Sequence, residues 1–279
     1  MKRNLFLALA VGMLLASCSS ENEEVRMNNE ESVTIRFSPY EMEAMTRSTT
    51  SIADYVTHLD LWLSDGSQTT EVHQTSADAG FGTVAVTLDK TKTYTLTAVG
   101  HRGSDAATLS GSVLSFPDDK ITQTFYFRES FAPSTTTTIN AVMNRIVGMF
   151  RFETTDPVPE NVKKMRFTLY NTFSQYNVGG YAITPTNRVS TVEITSTKED
   201  GTIAISLYLL PANSTDITPV DIKVEGLNAD NAVVDDRTFE DVPIKANVKT
   251  IYRGTYYITT PTSFSFLADD WQEFDAVTF

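Results

Sequence analysis

The chain has 279 residues, 41% of them hydrophobic and 20% charged, with a formal net charge of −13. That apolar share supports a packed core and excludes a disordered chain. The acidic balance excludes a nucleic-acid footprint and a polybasic grip on anionic lipid, and a single cysteine, Cys18, excludes an internal disulfide.

In chain order, Lys2 and Arg3 precede an apolar run over residues 5–15 that only Gly12 interrupts. The run has the length of a signal-peptide core and is too short for a membrane span of about 20 residues. It closes on Leu15-Ala16-Ser17-Cys18, which resembles the lipobox of bacterial lipoproteins. The resemblance implies cleavage before Cys18, a diacylglyceryl group on its sulfur and an acyl chain such as palmitate on the new amine. Each buried methylene contributes about 0.8 kcal/mol, so several acyl chains anchor far better than one. Residues 1–17 are then a signal peptide and residues 18–32 an acidic tether. Ser19-Ser20-Glu21-Asn22-Glu23-Glu24 reads as a solvated spacer, and it also resembles the surface-export signal of some Gram-negative lipoproteins. Loss of Lys2 and Arg3 takes the formal charge from −13 to −15.

Val33-Thr34-Ile35-Arg36-Phe37 alternates apolar and polar residues and predicts a strand. Residues 41–51 are polar. His58-Leu59-Asp60-Leu61-Trp62-Leu63 predicts a second strand, and residues 82–88, 94–98 and 121–127 predict three more. The run Ser134-Thr135-Thr136-Thr137-Thr138 reads as a linker or as an exposed strand, since threonine favours strands. The pattern restarts over residues 145–152, with Ile146, Gly148, Phe150 and Phe152 on one face. Further strands are predicted over 162–170, 203–209, 220–224, 250–259 and 264–267. Asp200-Gly201, between apolar residues ending at Ile194 and a run starting at Ile203, predicts a hairpin. No stretch has a long helical period. Short, closely spaced strands with turn residues between them predict an all-β chain of two tandem β-sandwiches, residues 33–140 and 141–279. No fixed-period repeat is visible.

Chemistry-bearing motifs are missing. His58, His73 and His101 adjoin no other histidine in sequence and read as surface or edge residues. There is no G-x-S-x-G, H-E-x-x-H or P-loop pattern. The pairs Asp118-Asp119, Asp235-Asp236 and Asp269-Asp270 lack calcium-loop spacing and read as solvated turns. Trp62, Phe131 and Trp271 suggest either a sugar-stacking face or core and cross-strand pairs. The reading is therefore a non-enzyme without metal or cofactor.

Several features align: the lipobox, the short strand 33–37, the arginine and small residue Arg47-Ser48 in a polar loop, and the strand 58–63 closing at Asp65-Gly66. Val86-Thr87-Leu88 then leads into Thr93-Tyr94-Thr95-Leu96-Thr97-Ala98-Val99-Gly100, and the second half opens with Met143-Asn144-Arg145-Ile146-Val147-Gly148. Together they resemble the FimA-type fimbrillin superfamily, the type V pilus subunits of anaerobic Gram-negative bacteria. That superfamily includes lipid-anchored, FimB-like accessory subunits. The resemblance implies two transthyretin-like β-sandwiches in tandem, a place in the outer membrane and fimbrium, and a part in cell adhesion. It also implies cutting after Arg47 by an arginine-specific protease, which removes the first strand together with the anchor. Val33, Ile35 and Phe37 mark the pockets so vacated, and the C-terminal segment of another subunit refills them. The matching tail carries Phe264, Phe266, Trp271, Phe274, Val277 and Phe279, and it reads equally as the last strand of the second sandwich. The implied partners are other pilus subunits, the outer membrane through the lipid, and host or bacterial surface ligands. A stalk or tip subunit needs the cut at Arg47; an anchor keeps its first strand and its lipid. The competing reading is a surface glycan-binding lipoprotein.

Overall fold

Alternating apolar and polar residues become one strand after another in the computed structural model, which describes residues 29–39, 51–257 and 265–270, the last as backbone alone. The first half forms β1 (Glu30–Pro39), β2 (His58–Ser64), β3 (Thr69–Thr75), β4 (Thr83–Asp89), β5 (Tyr94–His101), β6 (Thr108–Ser110), β7 (Val113–Ser115), β8 (Thr124–Phe131) and β9 (Thr138–Arg145). The second half forms β10 (Gly148–Thr154), β11 (Lys164–Asn177), β12 (Tyr181–Glu193), β13 (Ala204–Leu209), β14 (Thr218–Leu227), β15 (Val233–Ile244), β16 (Val248–Gly254) and β17 (Ser265–Asp270). The predicted all-β class and tandem sandwiches are the observed architecture.

In the first sandwich the order β3-β2-β5-β8 faces the order β9-β1-β4, and the two layers join at a corner where β8 meets β9 through Phe125–Arg145 and Tyr126–Asn144. Leu59, Leu61, Leu63, Leu96 and Ala98 from one layer pack on Val33, Ile35, Val84, Ile139 and Met143 from the other. The second sandwich sets β12-β11-β14-β15 against β13-β10-β16-β17. Its core places Phe150, Phe152, Leu207 and Leu209 over Phe167, Leu169, Ile222 and Val224.

The two halves share a topology that their sequences do not display. β1 lies antiparallel to β4 and parallel to β9; β10 lies antiparallel to β13 and parallel to β16. β2 pairs with β3 and β5 as β11 pairs with β12 and β14. Two additions break the equivalence. β17 extends the second sandwich beyond β16. The β6–β7 hairpin leaves the first half and joins the second, where β7 pairs with β11 from Val113 to Ser115.

That hairpin helps cover the outer face of the first sandwich. β2 is buried on both faces: Leu59, Leu61 and Leu63 point into its own core, and Trp62 meets Val99, Leu114, Phe116, Ile146, Val147, Tyr176 and Leu210 in a cluster between the sandwiches. The chain passes from one sandwich to the other at Ile146–Val147, both buried there. The Tyr126 hydroxyl donates to the Val178 carbonyl at 2.8 Å across the same boundary. Gly148 opens β10 where a Cβ would lie 2.6 Å from the Lys245 carbonyl oxygen, so only glycine fits.

Several expectations change. Asp200-Gly201 does turn, with Gly201 at φ +79° and its N–H donating to the Lys198 carbonyl at 2.9 Å. The flanking strands do not pair as a hairpin, however: β12 joins β11 and β13 joins β10, in opposite layers. The alternation read as one strand over 145–152 splits into the end of β9, a buried link and β10. Strands β3, β6, β7, β12 and β15 lie largely or wholly outside the predicted segments. Most residues of β3, β12 and β15 are exposed or only half-buried, so the apolar alternation that marks an inner strand is weak in them.

Candidate functional site

The strand singled out by the sequence, β1, occupies an inner position. Residues 30–36 pair with β4 on one side, and residues 34–39 pair with β9 on the other. Val33, Ile35 and Phe37 are buried, whereas Arg36 and Ser38 on the opposite face are exposed. Ile35 stands across from Val84 on β4 and Ile139 on β9; Phe37 stands across from Ala141. Burying three such side chains contributes roughly 5–9 kcal/mol. Removing β1 would therefore leave a slot with a hydrogen-bonding edge on each side and an apolar floor, and would strip β4 of its strand partner.

The structure also shows what borders this slot. β1 ends at Pro39, and the description resumes at Ser51, which caps a 3-10 turn, Ile52–Asp54. Ser51 Oγ accepts from the Ala53 N–H at 3.2 Å, and Asp54 Oδ2 accepts from the Ser51 N–H at 3.1 Å. Arg102 pins the turn from below: its Nε donates to the Tyr55 carbonyl at 2.6 Å and its Nη2 to the Asp54 carbonyl. None of these bonds to the turn involves β1. Gly82, at φ +86°, receives Ile52 of this turn so closely that a Cβ would meet its Cγ2 at 2.5 Å.

β4 is held at both ends by side chains of the facing layer. The Gln74 amide donates to the Thr83 carbonyl at 3.1 Å and its carbonyl oxygen accepts from the Gly82 N–H at 3.1 Å. At the other end the Asp89 N–H donates to Tyr94 Oη at 3.2 Å.

Of the other residues named from the sequence, Phe266 lies in β17, opposite Tyr252 of β16. Cys18, Arg47, Ser48, Phe264, Trp271, Phe274, Val277 and Phe279 lie outside the described residues. Trp62 and Phe131 are buried, and Phe131 stacks on Tyr94 with ring centroids 6.1 Å apart, so neither forms a sugar platform.

His101 corrects the sequence reading, whereas His73 does lie on an edge strand, β3. His73 and His101 flank Asp60, and His58 lies beside His101. His73 Nδ1 lies 2.8 Å from Asp60 Oδ1 and His101 Nε2 lies 3.0 Å from Oδ2. His58 stacks on His101 with centroids 5.3 Å apart. His101 is the buried last residue of the inner strand β5, not a surface or edge residue. The Gly103 N–H donates to His101 Nδ1 at 2.9 Å, which places the ring proton on Nε2, toward Asp60. The Ala107 N–H also donates to Asp60 Oδ2, at 2.9 Å. Asp60 thereby fastens the loop that leads into the β6–β7 hairpin. The signal available in sequence was the strand spacing, which puts His58 and Asp60 on one face of β2; the register that sets His101 opposite His58 came only with the pairing of β2 and β5. Among the described residues no group of three or more histidine, cysteine or acidic residues could hold a metal ion.

On the outer face of the second sandwich, Arg166 Nε lies 2.6 Å from Glu225 Oε2 and Lys223 Nζ 2.9 Å from Oε1. The bond from Arg166, then that from Lys223, pull the Glu225 carboxyl down to about 2.

Comparison with known proteins supplies fold and little else. No protein-family model matches the sequence, and no curated protein matches it. Among solved structures, a candidate cell adhesion protein from Bacteroides ovatus aligns with TM-score 0.53 at 13% identity, over 88% of this chain and 99% of that one. A candidate polysaccharide-binding protein from Bacteroides thetaiotaomicron aligns with TM-score 0.55 at 11% identity, over 87% of this chain and 99% of that one. The chain has the fold of these two proteins. The fimbrial anchor protein Mfa2 from Porphyromonas gingivalis aligns with TM-score 0.49 at 12% identity, over 87% of this chain and 98% of that one.

Proposed function

We propose that this chain is a non-enzymatic surface subunit of the adhesin or fimbrial kind, exported as a lipoprotein through Cys18 and able to exchange its first strand. The observation that carries the reading is the position of β1. It sits between β4 and β9, supplies Val33, Ile35 and Phe37 to the core, and is linked along the chain to the strands that follow through residues 40–50. A cut after Arg47 would separate β1 from a fold whose next described residue is Ser51. The C-terminal segment of another subunit, running as a strand, would restore both ladders and refill the three pockets. Kept intact, the same strand leaves the chain a lipid-held anchor in the outer membrane.

The shared fold with a candidate adhesion protein favours this reading over catalysis. A glycan-binding role, suggested by the name of the second relative, would need a platform other than Trp62 and Phe131.

The test is mass spectrometry of the protein from native outer-membrane fractions, with and without Arg47→Ala. A mature N-terminus at Ser48 that the substitution abolishes supports a subunit that accepts a donated strand. Lipidated Cys18 as the sole N-terminus supports the anchor and removes the maturation step. An unlipidated chain found only in the soluble fraction overturns the proposal.

A further inference from the structure

Emptying the β1 slot raises a physical difficulty. Strand β4 stands at the end of its layer and has β1 as its strand partner. With β1 gone, seven residue pairs of register vanish and β4 faces water along that edge. A strand so exposed would fold over the apolar floor, bury Val84 and Leu88 in a different arrangement, and close the slot.

We infer that Gln74 and Tyr94 are positioning residues that keep β4 in place while the slot is empty, so that it stays open for an incoming strand; this rests on the strand-exchange reading above. Both clamps come from the facing layer, which β1 does not touch through its ladder. Gln74, on β3, makes two opposed hydrogen bonds at the start of β4, to Thr83 and from Gly82. Such a pair fixes both the height and the rotation of that end. Tyr94, the first residue of β5, meets the Asp89 N–H at the other end and is itself buried against Phe131. The spacing between clamps matches the strand: Gly82 to Asp89 brackets the residues that pair with β1, Thr83 to Asp89. The ligand class follows from the slot. It is an extended peptide with apolar residues at three alternate positions and polar residues between them, running antiparallel to β4 and parallel to β9.

While β1 is in place, its own ladder holds β4 and the clamps are redundant. Their loss therefore acts on uptake and not on the intact fold, a separation that a merely structural role does not produce.

The experiment uses the full chain with residues 43–48 replaced by the recognition sequence of a site-specific protease. After cutting, it is incubated with excess fluorescent peptide of residues 29–39, and uptake is read by anisotropy and native mass. The unsubstituted chain is expected to bind one peptide. Gln74→Leu and Tyr94→Phe are each expected to take up at least tenfold less, while their uncut forms melt within about 4 °C of the unsubstituted chain. Gln74→Glu keeps the acceptor for Gly82 and loses the donor to Thr83, so its uptake falls between. Equal uptake by the variants and the unsubstituted chain overturns the clamp. So does a loss of uptake that runs in parallel with a large fall in melting of the uncut chain. No uptake by the unsubstituted chain overturns the strand-exchange reading, and the clamp with it.

Discussion

Strands β1 and β10 hold the same place in two copies of one topology. Each opens its sandwich and lies antiparallel to one neighbour and parallel to the other; β1 buries Val33, Ile35 and Phe37 in its core, and β10 buries Phe150 and Phe152. Their covalent situations differ. β10 follows β9 after two residues, Ile146 and Val147, which are buried between the sandwiches. β1 is preceded by no other strand among the described residues, and residues 40–50 separate it from the next described turn, Ile52–Asp54. The packing buries both strands in their cores; the connectivity differs, and the exchange proposed above rests on that difference.

The comparison breaks most readily at Ile35. An aspartate there puts an unpaired charge at a fully buried site, and the expected loss exceeds about 4 kcal/mol. Hydrogen exchange should show protection falling in β2, β5 and β9 while β11 and β14 keep theirs. Phe152→Ala on β10 should do the reverse, at a cost of about 3–5 kcal/mol. If either substitution strips both sandwiches equally, the two halves are one cooperative unit and β1 is not separable from the whole.

The join between the halves comes next. Asp60→Ala removes a buried acceptor of bonds from His73, His101 and Ala107, with an expected loss of about 3 kcal/mol. Limited proteolysis should then cut first in residues 102–107, the loop it fastens. Tyr126→Phe removes one bond across the boundary and should cost about 1 kcal/mol, read as a lower urea midpoint at unchanged slope.

The smallest effect is electrostatic and confined to the second sandwich. Glu225 titrates near 2, below its ordinary 4.5, so its contribution is complete above about pH 4.5 and is lost as pH falls through 2. Arg166→Gln should lower the urea midpoint at neutral pH, and the difference should vanish as pH approaches 2. A difference that persists at pH 2 would assign the effect to packing of the Arg166 stem.

Much of the first sandwich was legible because its inner strands carry strong alternation. Val33, Ile35 and Phe37 alternate with polar residues, and so do Leu59, Leu61 and Leu63, except that Trp62 and Asp60 between them are buried too. That second buried face was not legible, since nothing local says what will cover it. The Thr-rich run hid the start of β9, although Ile139, Ala141 and Met143 alternate just beyond it. Edge strands such as β3 and β12 carry few buried residues and left little signal.

By itself the sequence determined what local chemistry determines. It set the lipobox-like ending at Cys18 as an expectation, the all-β class, and the inward residues of β1, because alternation and turn residues act over a few positions. The tertiary structure alone decided that β1 lies between β4 and β9, that His73 and His101 meet one buried aspartate, and that two halves without a visible repeat share a topology. Those facts depend on which strands pair. Pairing is settled by long-range burial and backbone hydrogen bonding, which no short stretch of sequence encodes.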